Sequence, residues 1–262
     1  MSDEQCIVAV DVGNTAVKLA LKFESSIEHR EIRIGSSGWE LSAIGWVRDK
    51  LAGQHADGRS AQWRIASVHR SAATQLKHAI KSSQPDALIR LVTWPDVPIQ
   101  IDVDDAGRVG IDRLLSAYAA WCEFQSALVV IDAGSAITID WVDRDGTFCG
   151  GAIMPGLELQ SRSLVMGTEA LPQIELTTGS GVELPAKNTS DAIRAGIVLG
   201  SASALGGLID RYAAESGLSS QQMQVVLTGG DARTLGPHVR KSHQIIANLV
   251  CQGLLRLEGG RS

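Results

Sequence analysis

Short apolar runs alternate along the chain with longer stretches of helical period, and their order is the first thing the sequence dictates. Cys6 to Val10 is an apolar run that breaks at Asp11-Val12-Gly13-Asn14-Thr15; Ala16 to Phe23 then resumes as a second strand and Ile27 to Ile34 as a third. Trp39, Ile44, Val47 and Leu51 recur at helical spacing, and a polar, Gly-containing loop covers 53–60. A strand from Trp63 to Val68, a helix from Ser71 to Lys81 and a strand from Leu88 to Thr93 follow. This βββαβαβ series closes on a helix that carries Leu114, Leu115, Tyr118, Trp121 and Cys122 on one face.

From residue 127 the pattern repeats. IVAVDVGNTAVKLAL (Ile7 to Leu21) and LVVIDAGSAITIDWV (Leu128 to Val142) align without a gap at an offset of 121 residues, with Asp11 on Asp132 and Gly13 on Gly134. Asp143-Arg144-Asp145-Gly146 predicts a hairpin turn into a third strand, Thr147 to Ile153, so the second unit opens on the same meander. There follow a helix from Gly156 to Val165, a Gly/Pro-rich link over 167–185 and a long helix from Thr189 to Glu215. Next, a strand from Gln224 to Leu227 runs into Thr228-Gly229-Gly230-Asp231, and short helices end the chain. Gly196, Gly200 and Ala204 share one face of the long helix, where a neighbouring element can approach closely. Two similar α/β halves, 1–124 and 125–262, are expected to flank an interdomain cleft in which ligands bind, with terminal helices able to cross between them.

Composition narrows the class. With 262 residues, 44 % hydrophobic and 20 % charged, the chain can bury a core and is no candidate for disorder. Lys and Arg number 24 against 29 Asp and Glu, a net charge of -5 without a basic run, so nucleic acid is not an expected partner. The N-terminus, Met1-Ser2-Asp3-Glu4-Gln5, is acidic where a signal peptide is basic, and no apolar run approaches a membrane span; a cytoplasmic location with no membrane partner is expected. Cys6, Cys122, Cys149 and Cys251 are scattered, which suits isolated thiols better than zinc ligands or disulfides, and the six His show no metal-ligand spacing.

Neither a GxxxxGK[ST] nor a GxGxxG motif is present, which removes the P-loop and the dinucleotide fingerprint. What remains is Asp-x-Gly-[Asn/Ser] between two strands, twice. In such a turn Gly13 or Gly134 permits close backbone approach, N–H groups can cup phosphate oxygens, and the Asp can hold a hydrated Mg²⁺; each copy alone can equally be plain hairpin chemistry. Lys18, seven residues after Asp11, can be a solvated charge or a phosphate ligand. Gly110-Ile111-Asp112-Arg113 opens a helix. Asp112 there can be an N-cap, or it can accept the proton of a hydroxyl attacking a γ-phosphate, beside an anion site made by the helix N-terminus and Arg113. Gly150 to Gly156 and Lys187-Asn188-Thr189 read as structural turns or as ligand contacts.

These motifs together resemble the ordered set of the type III pantothenate kinases: Asp11-x-Gly13-Asn14-Thr15-x-x-Lys18, Gly110-x-Asp112-Arg113, Asp132-x-Gly134-Ser135-Ala136-x-Thr138-x-Asp140, Gly150-Gly151-x-Ile153-x-Pro155-Gly156 and Asn188-Thr189. The resemblance covers about residues 6–231 and implies duplicated ribonuclease-H-like domains of the kind shared by acetate and sugar kinases, actin and the 70-kDa heat-shock chaperones. It implies transfer of the γ-phosphate of ATP to the primary hydroxyl of pantothenate, the entry step of coenzyme A synthesis, by a homodimer. On this reading Asp11, Val12, Gly13, Asn14, Thr15, Ala16, Val17 and Lys18 bind ATP with its Mg²⁺, and Ser135 lies near the nucleotide. Asp112 is the proton acceptor, Gly110, Ile111, Asp112, Arg113 and Thr189 hold pantothenate, and Asp132 serves a monovalent cation, K⁺ or NH₄⁺. Two positions depart from the family pattern: Ser135 stands where Thr is usual, which keeps the hydroxyl, and Val103 stands where a Tyr is common, which removes an aromatic wall from the implied substrate pocket. A kinase for another small hydroxy acid and a catalytically silent nucleotide-binding regulator are the competing readings; the three retained aspartates, Asp11, Asp112 and Asp132, favour the enzyme.

Overall fold

A computed structural model of the chain describes residues 6–23, 26–52, 61–176, 182, 184–219 and 221–258; the loop expected at 53–60 lies outside them, as does part of the link over 167–185. Two units emerge. The first gathers Met1–Pro98, Asp105–Ala119 and Asn248–Ser262, the second Ile99–Asp104 and Ala120–Ala247.

Unit 1 is built on a five-stranded sheet. β1 (Cys6–Val12), β2 (Ala16–Lys22) and β3 (Ile27–Arg33) form an antiparallel meander, and β4 (Ala61–Ser67) and β5 (Leu88–Leu91) add in parallel on the far side of β1, giving the order β3-β2-β1-β4-β5. Period-two alternation puts Val8, Val10, Val12, Val17, Leu19 and Leu21 on one face, where they pack with residues of α1 (Trp39–Ala52) and α2 (Arg70–Ser83). α3 (Ile111–Phe124) follows a two-residue strand, β6 (Gln100–Ile101).

Unit 2 repeats the plan. β7 (Leu128–Ala133), β8 (Ala136–Val142) and β9 (Thr147–Pro155) form the meander, and β10 (Gln224–Thr228) and β11 (Gln244–Ile245) pair in parallel beyond β7; with β6 added against β9 the order is β11-β10-β7-β8-β9-β6. α4 (Leu157–Gly167), α5 (Thr189–Glu215) and α6 (Ala232–Leu235) complete it, and α7 (Leu249–Arg256) belongs to unit 1. α5 is long and apolar enough to cross a membrane by length and composition, which the run-length reading did not anticipate. One face of it joins the core: Ile193, Ile197, Val198, Leu205 and Ile209 pack with Val129, Ile131 and Ile139 of the sheet.

One detail corrects the repeat. In unit 1 Asp11 faces Lys18 and Val12 faces Val17, with the Gly13 N–H donating to the Ala16 carbonyl at 3.0 Å. In unit 2 Asp132 faces Thr138 and Ala133 faces Ile137, and the Gly134 N–H donates to the Ala136 carbonyl at 3.0 Å. The second turn is one residue shorter, so the ungapped match holds through the glycine and then needs one gap. The counterpart of Lys18 is Thr138 rather than Ile139. Side-chain period explains why: without the gap Val17 and Leu19, buried apolar residues of unit 1, would fall on the polar Thr138 and Asp140 instead of on the buried apolar Ile137 and Ile139.

Candidate functional site

In unit 1 the chemistry collects at the carboxyl end of β1. Asp11 and Lys18 are direct cross-strand partners, so their side chains share one face of the hairpin, opposite the buried Val10, Val12, Val17 and Leu19. Between them Gly13 makes the turn, Asn14 and Thr15 are exposed, and Ala16 begins β2. The turn is held from outside: the Ile34 N–H donates to the Thr15 carbonyl at 2.9 Å and the Val68 N–H to the Val12 carbonyl at 3.1 Å.

The second element of this locus is the start of α3. Gly110 precedes the helix, its carbonyl accepting from the N–H groups of Arg113 at 3.1 Å and Leu114 at 3.4 Å. Asp112 is therefore the second helical residue and not the cap. Its Oδ1 turns back to accept the Arg113 N–H at 2.9 Å, and a Cβ at Gly110 would collide with that carboxylate. The glycine is what lets Asp112 take this pose. Burial raises the Asp112 pKa above the ordinary carboxylate value, opposed by the N–H and charge of Arg113 and by the charge of Lys18. The hairpin and the helix start thus sense each other within one unit.

Unit 2 holds the other predicted residues. Asp132, on β7, pairs with Thr138 of β8 and Thr228 of β10, and Ser135 is exposed on the turn. Two glycines from elsewhere close in on this turn. The Gly156 N–H donates to the Ser135 carbonyl at 3.2 Å, and a Cβ at Gly156 would run into the Ser135 and Gly134 backbone. Gly229, at φ +91°, sits where a Cβ would fall 2.5 Å from Asp132 Oδ1. Beside it the Asp231 N–H donates to the Ala133 carbonyl at 2.9 Å, and burial followed by the charge of Glu158 raises the Asp231 pKa. No role for Asp231 or Glu158 follows from the sequence; its one hint is the Gly-Gly step after β10, because the pairing itself is tertiary.

Val103 lies half-buried after β6, facing Gly150, where a Cβ would come 3.3 Å from Val103 Cγ1. Gly150 has φ +82° at the register shift between β8 and β9, a bulge that aims this strand at Val103. Thr189 is the exposed first residue of α5; the cap is Asn188, whose Oδ1 accepts the Asp191 N–H at 2.9 Å. Among the described residues no three His, Cys, Asp or Glu side chains form a metal cluster. Asp11 and Asp132 do offer hard oxygen donors at glycine turns, the donor type that Mg²⁺ and alkali cations take.

Two sheets built on the same 3-2-1-4-5 order, each with an Asp-x-Gly hairpin, define a protein of duplicated ribonuclease-H-like α/β domains. Its fold is similar to that of (R)-2-hydroxyglutaryl-CoA dehydratase component A from Acidaminococcus fermentans, with a TM-score of 0.56 at 15% identity over 97% of this chain and 96% of that one. The activator of 2-hydroxyisocaproyl-CoA dehydratase from Clostridium difficile gives a TM-score of 0.52 at 14% identity, over 97% and 93%. Sequence goes further. The sequence model of the type III pantothenate kinases matches residues 7–211. The type III pantothenate kinase of Rhodopirellula baltica is 33% identical over 95% of this chain and 97% of its own, and that of Thermus thermophilus 31% over 97% and 99%. The chain belongs to the type III pantothenate kinase family.

Proposed function

We propose that this chain transfers the γ-phosphoryl group of ATP to the primary hydroxyl of pantothenate, yielding ADP and 4′-phosphopantothenate at the entry to coenzyme A synthesis. Family membership over nearly the whole chain carries the substrate; the pairing of the Asp11–Lys18 hairpin with the Asp112 helix start supports the chemistry.

In the step itself the hydroxyl oxygen bonds to the γ-phosphorus, the bond from that phosphorus to the ADP oxygen breaks, and the hydroxyl proton passes to the Asp112 carboxylate. A base whose pKa burial raises above the usual carboxylate value suits a proton that leaves late. We assign residues 11–18, namely Asp11, Val12, Gly13, Asn14, Thr15, Ala16, Val17 and Lys18, together with Ser135, to the nucleotide. Gly110, Ile111, Asp112, Arg113, Val103 and Thr189 are assigned to pantothenate, with Arg113 and the α3 N-terminus facing its carboxylate. Mg²⁺ bound with the ATP would neutralise phosphate charge, and Asp11 is the side chain that would face it. Asp132 is assigned to the monovalent cation, K⁺ or NH₄⁺.

The stretches 1–124 and 125–262 are proposed as the two copies of the duplication, with α7 grouped back into unit 1 and β6 and the end of α3 into unit 2. A homodimer is supported by α5, whose exposed side presents Gly196, Gly200 and Ala204, with no atom of the described residues within 4 Å of a Cβ added at either glycine. The cytoplasm, where ATP is abundant, is the proposed location.

The purified protein given ATP, Mg²⁺ and pantothenate should form 4′-phosphopantothenate in K⁺ and far less in Na⁺. Absence of product in both salts would overturn the function; equal rates in both would overturn the cation assignment alone.

A further inference from the structure

α7 comes from the far end of the sequence, beyond the stretch matched by the family's sequence model, yet it packs against both parts of the proposed reaction centre in unit 1. Its Cys251 is fully buried, and the thiol donates to the carbonyl oxygen of Lys18 on β2 at 3.5 Å. Two residues on, Gly253 meets α3: a Cβ there would lie 2.5 Å from the Leu115 carbonyl oxygen and 3.1 Å from its carbon. Leu115 is three residues beyond Asp112 on the same helix, and its backbone cannot swing aside.

The carboxyl end of α7 is pinned as well. Arg64 of β4, only 2% exposed, donates through Nη1 to the Leu254 carbonyl at 3.0 Å and to the Leu257 carbonyl, and through Nε to Gln62 Oε1 at 3.2 Å. From α3 the Tyr118 hydroxyl donates to the Arg256 carbonyl at 3.4 Å. One short helix therefore indexes the strand of Lys18 and the helix of Asp112 to each other.

We propose that α7 is a positioning element for phosphoryl transfer, with Gly253 on Leu115 and Cys251 on Lys18 fixing the Asp112 carboxylate relative to the Lys18 strand. The inference rests on the assignment of Asp112 as the base. Close packing is what makes the coupling stiff: real Cβ contacts essentially never fall under 3.0 Å, so an alanine at 253 must part α7 from α3 by roughly half an ångström. Misplacement of reacting groups by ~1 Å costs on the order of a hundredfold in rate, so a shift of this size is expected to lower kcat roughly tenfold.

Kinetics and binding of Gly253→Ala test this. The expected result is a roughly tenfold lower kcat while the Kd values for ATP and for pantothenate, each measured alone by calorimetry, stay within about twofold. Gly45→Ala on α1, where an added Cβ meets open space, should keep the wild-type kcat. In an Asp112→Asn background the Gly253→Ala change should alter the residual rate by less than about twofold, since the group it displaces is no longer the base. Wild-type kcat in Gly253→Ala, or an undiminished loss in the Asp112→Asn background, would overturn the proposal. Should Gly253→Ala not fold, Arg64→Lys, which keeps the charge but is shorter and loses the Nε bond to Gln62 that orients Nη1 on the two carbonyls, is expected to give the same kcat-selective loss, and full kcat in it counts against α7. A wild-type kcat in Asp112→Asn alone would strike the base assignment itself and is read separately.

Discussion

Asp112 is held in opposition between burial, which lifts its pKa, and the charges of Arg113 and Lys18, which lower it; burial is the larger influence. The sign of its effect on stability follows. A carboxyl whose folded pKa lies above its unfolded value of 3.8 binds more protons in the folded state between those two values, so stability falls as pH rises through that window. Asp112→Asn removes the penalty. Thermal denaturation at pH 7.5 should show a higher Tm for Asp112→Asn, with the gain shrinking toward pH 4, while kcat drops by about 10² to 10⁴-fold. A lower Tm at pH 7.5 would contradict the burial argument. Lys18→Met makes a separate case. Loss of a charge-assisted phosphate contact, worth about 1.5–3 kcal/mol, should raise the KM for ATP by at least roughly tenfold. Without the pull of Lys18 the acid limb of the kcat/KM profile should also move to higher pH.

At the scale of elements, apolar runs were legible because burial alone fixes them: β1 begins where the pattern starts, β7 one residue after it, and α5 spans Thr189–Glu215 as expected. β6 and β11 were not, since two residues carry no period. β5 stops at Leu91, short of Thr93, because the Asp96 carboxylate captures the Thr93 N–H at 2.8 Å and its hydroxyl at 2.9 Å and starts a tight turn. Among candidate site residues, those in a repeated Asp-x-Gly hairpin stood out. The Asp231–Glu158 pair, the shortened second turn and the seat of α7 did not, because each depends on residues distant in sequence. Arg64 illustrates the same blindness, as a lone Arg in an apolar strand that turns out to satisfy two helix-end carbonyls. Arg64→Met would orphan both, and equilibrium urea unfolding should show a loss of about 2–5 kcal/mol. A change under about 1 kcal/mol would mean those carbonyls find other partners.

For the whole molecule, a net charge of -5 does not count against ATP, because under the proposed assignment Lys18, Arg113 and backbone N–H groups would act at short range. The exposed stripe of α5 bears on assembly. Gly200→Leu should convert a dimer to a monomer in sedimentation velocity without changing the circular dichroism spectrum, and an unchanged dimer would move the interface off this helix. Finally, the place of α7 has a consequence for synthesis. Ribosomes deliver most of unit 1 before unit 2, yet the helix that covers β1, β2 and β4 is made after the whole of unit 2. Unit 2 can close on itself once Ala247 has emerged, whereas unit 1, though older on the growing chain, must wait with that side of its sheet uncovered until α7 follows.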